Sequence, residues 1–159
     1  MFFFTSDQDK ALITRKIDIQ DQVIASSNSI MANNLFLLGH YYYNKKYADD
    51  AQQMLLNVVD RAYEYGGSSS NWLQLYLNYI GEFYEVAVAG KDAHTKLKEL
   101  NTTYIPNKLI VGSTKESELP LLENKYNDNR TTIYVCIDGS CKLPVTETEK
   151  AVQQIKISL

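Results

Sequence analysis

Apolar residues follow two successive patterns along the chain, a helical one up to residue 81 and a strand-and-helix alternation from residue 82 onward. At the start, residues 2–5 and 11–14 are short apolar runs separated by a polar turn, 6–10, and they predict a hairpin or two extended segments. Ser26, Ser27, Asn28 and Ser29 then offer side-chain oxygens that can accept the unpaired N–H groups of a helix start. The helix expected next, over 29–44, places Ile30, Asn34, Leu37, Leu38, Tyr41 and Tyr42 at three- and four-residue spacing. A second, over 46–65, has the clearest amphipathic pattern, with Ala48, Ala51, Leu55, Val58 and Ala62 on one stripe and Gly66-Gly67 to end it. A third, over 69–81, carries Trp72, Leu73, Leu75, Tyr76, Tyr79 and Ile80 almost all round, which predicts deep burial.

Beyond Gly81 the pattern predicts strands over 84–90, 108–112 and 131–136, separated by short helices over 92–100 and 118–126. Thr146 and Glu149 have capping-box spacing and predict a last helix, 147–156. Strands alternating with helices through short connections favour parallel βαβ units. The expected class is therefore α+β. Residues 1–81 form a helical segment, and 82–159 form a small three-layer α/β segment with a mostly parallel sheet and a C-terminal β-hairpin.

That hairpin follows from Cys136-Ile-Asp-Gly-Ser-Cys141, because Asp138-Gly139 is a strong signal for a two-residue type I′ turn. With those two residues as the loop, Ile137 opposes Ser140 and Cys136 opposes Cys141 as a non-hydrogen-bonded pair, Cα atoms roughly 4.5 Å apart. A disulfide can bridge such a distance. Three states fit the pair: two reduced thiols, a redox-active or stabilising disulfide, or a metal site. A zinc site normally needs four ligands, and His40 and His94 are far away in sequence, so no metal is expected.

Charge and composition narrow the function classes. A net charge of −3 with no block of Lys or Arg argues against nucleic acid as a partner. No run of 18 apolar residues is present, so no membrane-spanning helix is expected, and a cytoplasmic location is. Three consecutive phenylalanines, Phe2 to Phe4, call for burial, which suggests an upstream partner segment or self-association through exposed apolar surface. Tyrosine is abundant, at 12 residues, and suits half-buried rims. His40 and His94 are lone histidines on helices, more in keeping with surface or core-edge positions than with a catalytic base. Neither a nucleophile elbow nor a P-loop is present, and residues 88–92 hold one glycine where a dinucleotide loop needs three, so no cofactor is expected. Leu38-Gly39-x-x-Tyr42 followed by Ala51 resembles a single tetratricopeptide repeat, which without a second copy reads as a helical hairpin.

Several stretches, in order, resemble the C-terminal region of the thioredoxin-domain proteins related to spermatogenesis-associated protein twenty. These are residues 2–5 and 11–13, Ala25-Ser26-Ser27-Asn28-Ser29 (where that family has Pro-Ser-Gly-Asn-Ser), and the run 34–39. Residues 84–90, 104–108 and 133–146, the last holding Cys136 and Cys141, continue the likeness. Members of that family join a thioredoxin-like domain to an (α/α)6 toroid similar to N-acylglucosamine 2-epimerases and six-hairpin glycosidases. The resemblance implies that the helices before residue 82 are the last hairpins of the toroid and that the α/β segment is an appendage. It further implies that Ser27, Asn28 and Ser29 lie at a helix start facing a ligand-binding cavity, and that the thioredoxin and remaining toroid portions of the same protein are partners. The expected role is a region that is non-catalytic in isolation or that contributes to a carbohydrate-binding site in the full-length protein.

Overall fold

The computed structural model describes residues 1–8, 10 and 13–155. It is α+β, with the helices first and a four-stranded sheet after them. Backbone contacts divide it into two compact units, one of residues 1–39 and 44–77, the other of 40–43 and 78–159. The main division falls between Leu77 and Asn78, and the last turn of the first helix belongs with the second unit.

In the first unit, α1 (Ser27–Tyr42), α2 (Lys45–Leu56), α3 (Val59–Glu64) and α4 (Ser70–Ile80) supply the regular structure. Ala32, Leu35, Phe36, Ala51, Met54, Leu55, Val58, Ala62, Trp72 and Leu75 are buried. The stripe expected along 46–65 is thus inside from Ala51 to Ala62, with Ala48 half-buried, but the helix carrying it is broken. Asn57 accepts from the side chain of Gln53 at 3.0 Å, and the Val58 N–H turns to Leu55 at 3.0 Å in a tighter bond. Asn and two consecutive valines are weak helix formers, so the break falls on them. The helix over 69–81 is not buried all round. Trp72 and Leu75 form its inner stripe, while Leu77 and Ile80, equally spaced, are exposed. Residues 2–5 form no strand; the Phe4 N–H donates to the Lys16 carbonyl at 2.8 Å, and Ala11 and Leu12 of the expected run 11–14 lie outside the described residues.

In the second unit, β1 (Tyr84–Ala89), β2 (Lys108–Ser113), β3 (Thr132–Ile137) and β4 (Ser140–Cys141) lie in the order β2-β1-β3-β4. Here the expectation of a mostly parallel sheet is corrected: β1 and β2 are parallel, but β1–β3 and β3–β4 are antiparallel. A parallel return needs a crossover, usually a helix. Only the β1-to-β2 connection has one, α5 (Ala93–Leu100). The expected helix over 118–126 is a series of turns, with the Leu122 and Glu123 N–H groups both on the Leu119 carbonyl. Pro120 restricts the residue before it, and Asn124 at φ 58° ends any helical path. The last helix, α6 (Thr148–Gln153), starts later than its capping-box spacing predicts. Val145 is held extended by paired backbone bonds to Ile133, and Thr148 turns its hydroxyl to Glu99 of α5 instead.

Because β1 is buried along its whole length, its side chains divide cleanly between two faces. Tyr84, Val86 and Val88 pack with Ala93, Leu100, Ala151 and Ile155 of α5 and the α6 end. Ala87 and Ala89 pack with Leu122 and Leu119 of the turn segment and with Tyr134. Glu85 lies on that second face, opposite Cys136 in register.

Candidate functional site

Among the described residues two polar clusters are buried, one in each unit. In the first, Ser26 is the N-cap of α1, its Oγ accepting from the Ser29 N–H at 3.1 Å. Asp21, 2 % exposed, accepts from the Ser26 N–H at 3.0 Å, the Ser29 hydroxyl at 2.6 Å and the Asn71 N–H at 2.8 Å. Burial pushes the Asp21 carboxyl up, but the bonds from Ser29, Ser26 and Asn71 act the other way and together hold it below its ordinary value. Asn28 is fully buried; its oxygen accepts from the Phe2 N–H at 2.7 Å and its amide donates to the Phe2 and Asp18 carbonyls at 2.9 and 2.8 Å. Of the three residues expected to face a ligand, Asn28 and Ser29 therefore direct their side chains to the chain itself. Ser27 is exposed and lines a cleft of about 540 Å³ with Phe4, Lys16, Asp18, Gln20 and Gln22. Asp21, which organises the cluster, carries no sequence signal beyond a lone acidic residue ahead of a cap-rich stretch.

The second cluster is centred on Glu85, 1 % exposed. His40 Nδ1 lies 2.8 Å from Oε1, while the Tyr43 hydroxyl at 3.3 Å and the Gly139 N–H at 3.0 Å donate to Oε2. Tyr43 reaches this position because it ends α1 in the left-handed region, φ 48°, with the Asn44 N–H returning to the Gly39 carbonyl at 3.0 Å in a Schellman-type cap. Burial first, then the Glu85 charge and hydrogen bond, push the Tyr43 phenol up to about 12. The His40 ring also tilts against Phe83, with centroids 5.0 Å apart.

Gly139 belongs to the β3–β4 turn, where Asp138 and Gly139 have φ of 48° and 75°, as a type I′ turn requires. Cys136 pairs with Cys141 and Ile137 with Ser140, the register derived from the turn chemistry alone. Cys136 and Cys141 are joined by a disulfide, with Cα atoms 3.8 Å apart. The two residues differ in exposure: Cys136 is fully buried and Cys141 is exposed. A carboxylate is therefore register partner to the buried half of the bridge, and the same carboxylate holds the hairpin tip. The tip also rests on Tyr43, since a Cβ added at Gly139 would lie 3.5 Å from its ring. Sequence reasoning passed over Glu85, whose signal is its place as the one charged residue in the run 84–89. His94 has no part in this cluster, and among the described residues no group of His, Cys, Asp and Glu is arranged to hold a metal ion.

No family model, curated protein or solved structure matches this chain.

Proposed function

We propose that the chain is the C-terminal region of a thioredoxin-domain protein with a six-hairpin-glycosidase-like toroid, and that by itself it is a cytoplasmic, non-catalytic accessory module. The observation that best supports an accessory role is the saturation of Asp21, Asn28 and Ser29 by the chain's own groups. Residues so engaged hold a segment in place, because a ligand would have to displace bonds already made. No helix is long and apolar enough to cross a membrane among the described residues. Phe4, Val23 and Ile24 are strongly exposed apolar residues, which supports contact with another part of the same protein or a second copy. Sugars and nucleotides added to the purified chain are expected to give no turnover. Saturable turnover of either would overturn the accessory reading.

A second reading, contribution to a carbohydrate site, is favoured by the Ser27 cleft, where Lys16, Asp18, Gln20 and Gln22 put polar groups beside Phe4. A saturable thermal shift with sugars that Ser27→Ala and Gln20→Ala abolish would support it over the first.

A further inference from the structure

We infer that the Cys136–Cys141 bridge is a thiol–disulfide exchange site for a dithiol donor, entered at Cys141, with Cys136 as a leaving sulfur guarded by Glu85. This stands on the hairpin geometry and is independent of the family reading above.

Thiolates attack disulfides in line at one sulfur, so access selects which sulfur is attacked. Cys141 lies on the short outer strand β4 and is exposed, whereas Cys136 is fully buried on β3. The incoming thiolate therefore bonds to the Cys141 sulfur, the S–S bond breaks, and its electron pair passes to Cys136. That leaving sulfur is released beside Glu85, its register partner on β1, with side chains on the same face and Cβ atoms roughly 5 Å apart. A second negative charge there is unfavourable, so Cys136 takes up a proton from water and ends as a thiol. The donor's second sulfur, having lost its proton, then attacks the donor sulfur of the mixed disulfide and releases Cys141, which is protonated in turn. In sum two electrons and two protons pass from the dithiol to the two cysteines, and the donor leaves as a disulfide.

Glu85 has a second part in this arrangement. Its Oε2 holds the Gly139 N–H, and Tyr43 supports the same turn from the end of α1. The hairpin tip is thus retained when the bridge opens, and the reduced cysteines remain opposed and ready to close again. An exposed cysteine backed by a fixed, buried partner fits a bridge that opens and closes in turn.

Two measurements test the inference on the intact chain. The folded protein is treated with reduced glutathione, quenched with acid and mapped by peptide mass. The adduct is expected on Cys141, and reduced dithiothreitol is expected to complete the reduction to two free thiols while circular dichroism stays native. An adduct on Cys136, equal adducts on both, or a bridge that opens only in denaturant would overturn the proposal. In parallel, the dithiothreitol rate is compared for wild type, Glu85→Gln and Tyr43→Phe. Removing the charge is expected to speed opening about tenfold, while Tyr43→Phe, which loosens the turn but keeps the charge, changes it by less than about twofold. Equal rates for wild type and Glu85→Gln would refute the guarding role. Where that variant does not fold, the wild-type adduct position decides alone.

Discussion

Glu85 is a buried carboxylate whose hydrogen-bonding partners come from three places in the chain: α1, its end, and the β3–β4 turn. Removing one partner of a buried polar pair costs more than the pair contributes, because the group left behind is unsatisfied. Tyr43 carries a cost of its own, since a non-glycine residue in the left-handed region loses about 1–3 kcal/mol, which the surrounding contacts must offset. Its phenol gives a directional test. The folded state holds that proton more tightly than an unfolded chain, with a value near 12 against an ordinary 10. Stability from this source is therefore complete below pH 10, falls as the pH rises between the two values, and is lost above the folded one. The urea midpoint of wild type should thus fall more steeply than that of Tyr43→Phe across this alkaline window, and parallel curves would show that the Tyr43 proton is not linked to folding. Of this cluster, only the lone charge at position 85 was legible in sequence. Its partners were not, because His40 and Tyr43 are more than 40 residues away and no periodic pattern links them.

At the scale of elements, α1 and α2 meet through small residues. A Cβ at Gly39 would lie 3.1 Å from the Ala48 backbone nitrogen and 3.2 Å from its Cβ, and backbone cannot yield as a flexible side chain does. Two effects compete in Gly39→Ala. Alanine gains about 1 kcal/mol in helix propensity, whereas overpacking a close helix contact costs about 1–3 kcal/mol. The clash should win, lowering the urea midpoint of the first unit; a raised midpoint would mean that the helices part freely. The helical hairpin was readable from Gly39, although the residue that Gly39 meets is Ala48 rather than Ala51, and the buried stripe from Ala51 to Ala62 was readable too. Element ends were harder to read. The break at Asn57 depends on a side-chain bond to Gln53, and the late start of α6 depends on Val145 being pinned to a strand. The turns over 118–126 have a local sign in Pro120, which disfavours a helical residue before it. Hairpin register was recovered in full, since two turn residues suffice to set it.

For the whole molecule, the α+β class was legible because helices and strands carry different apolar periods. Sheet order was not, because the reversal at β3 follows from a connection without a crossover helix, and strand patterns carry no direction. Two compact units make separate reporters possible. Trp72 is the sole tryptophan and lies buried in the first unit, its indole N–H donating to the Ile19 carbonyl at 2.8 Å. Asp21 joins the same unit through the Asn71 N–H, one residue away from that indole. Asp21→Ala leaves the Ser26 and Asn71 N–H groups without their acceptor and should cost about 3 kcal/mol, seen as an earlier urea transition in Trp72 fluorescence. The Cys136–Cys141 bridge lies in the second unit, so the same substitution should leave its dithiothreitol reduction rate unchanged, as expected for sites without shared partners. A reduction rate that moved together with the Trp72 transition would mean that the two cores open as one cooperative structure, and the hairpin would then report on the whole fold rather than on its own unit.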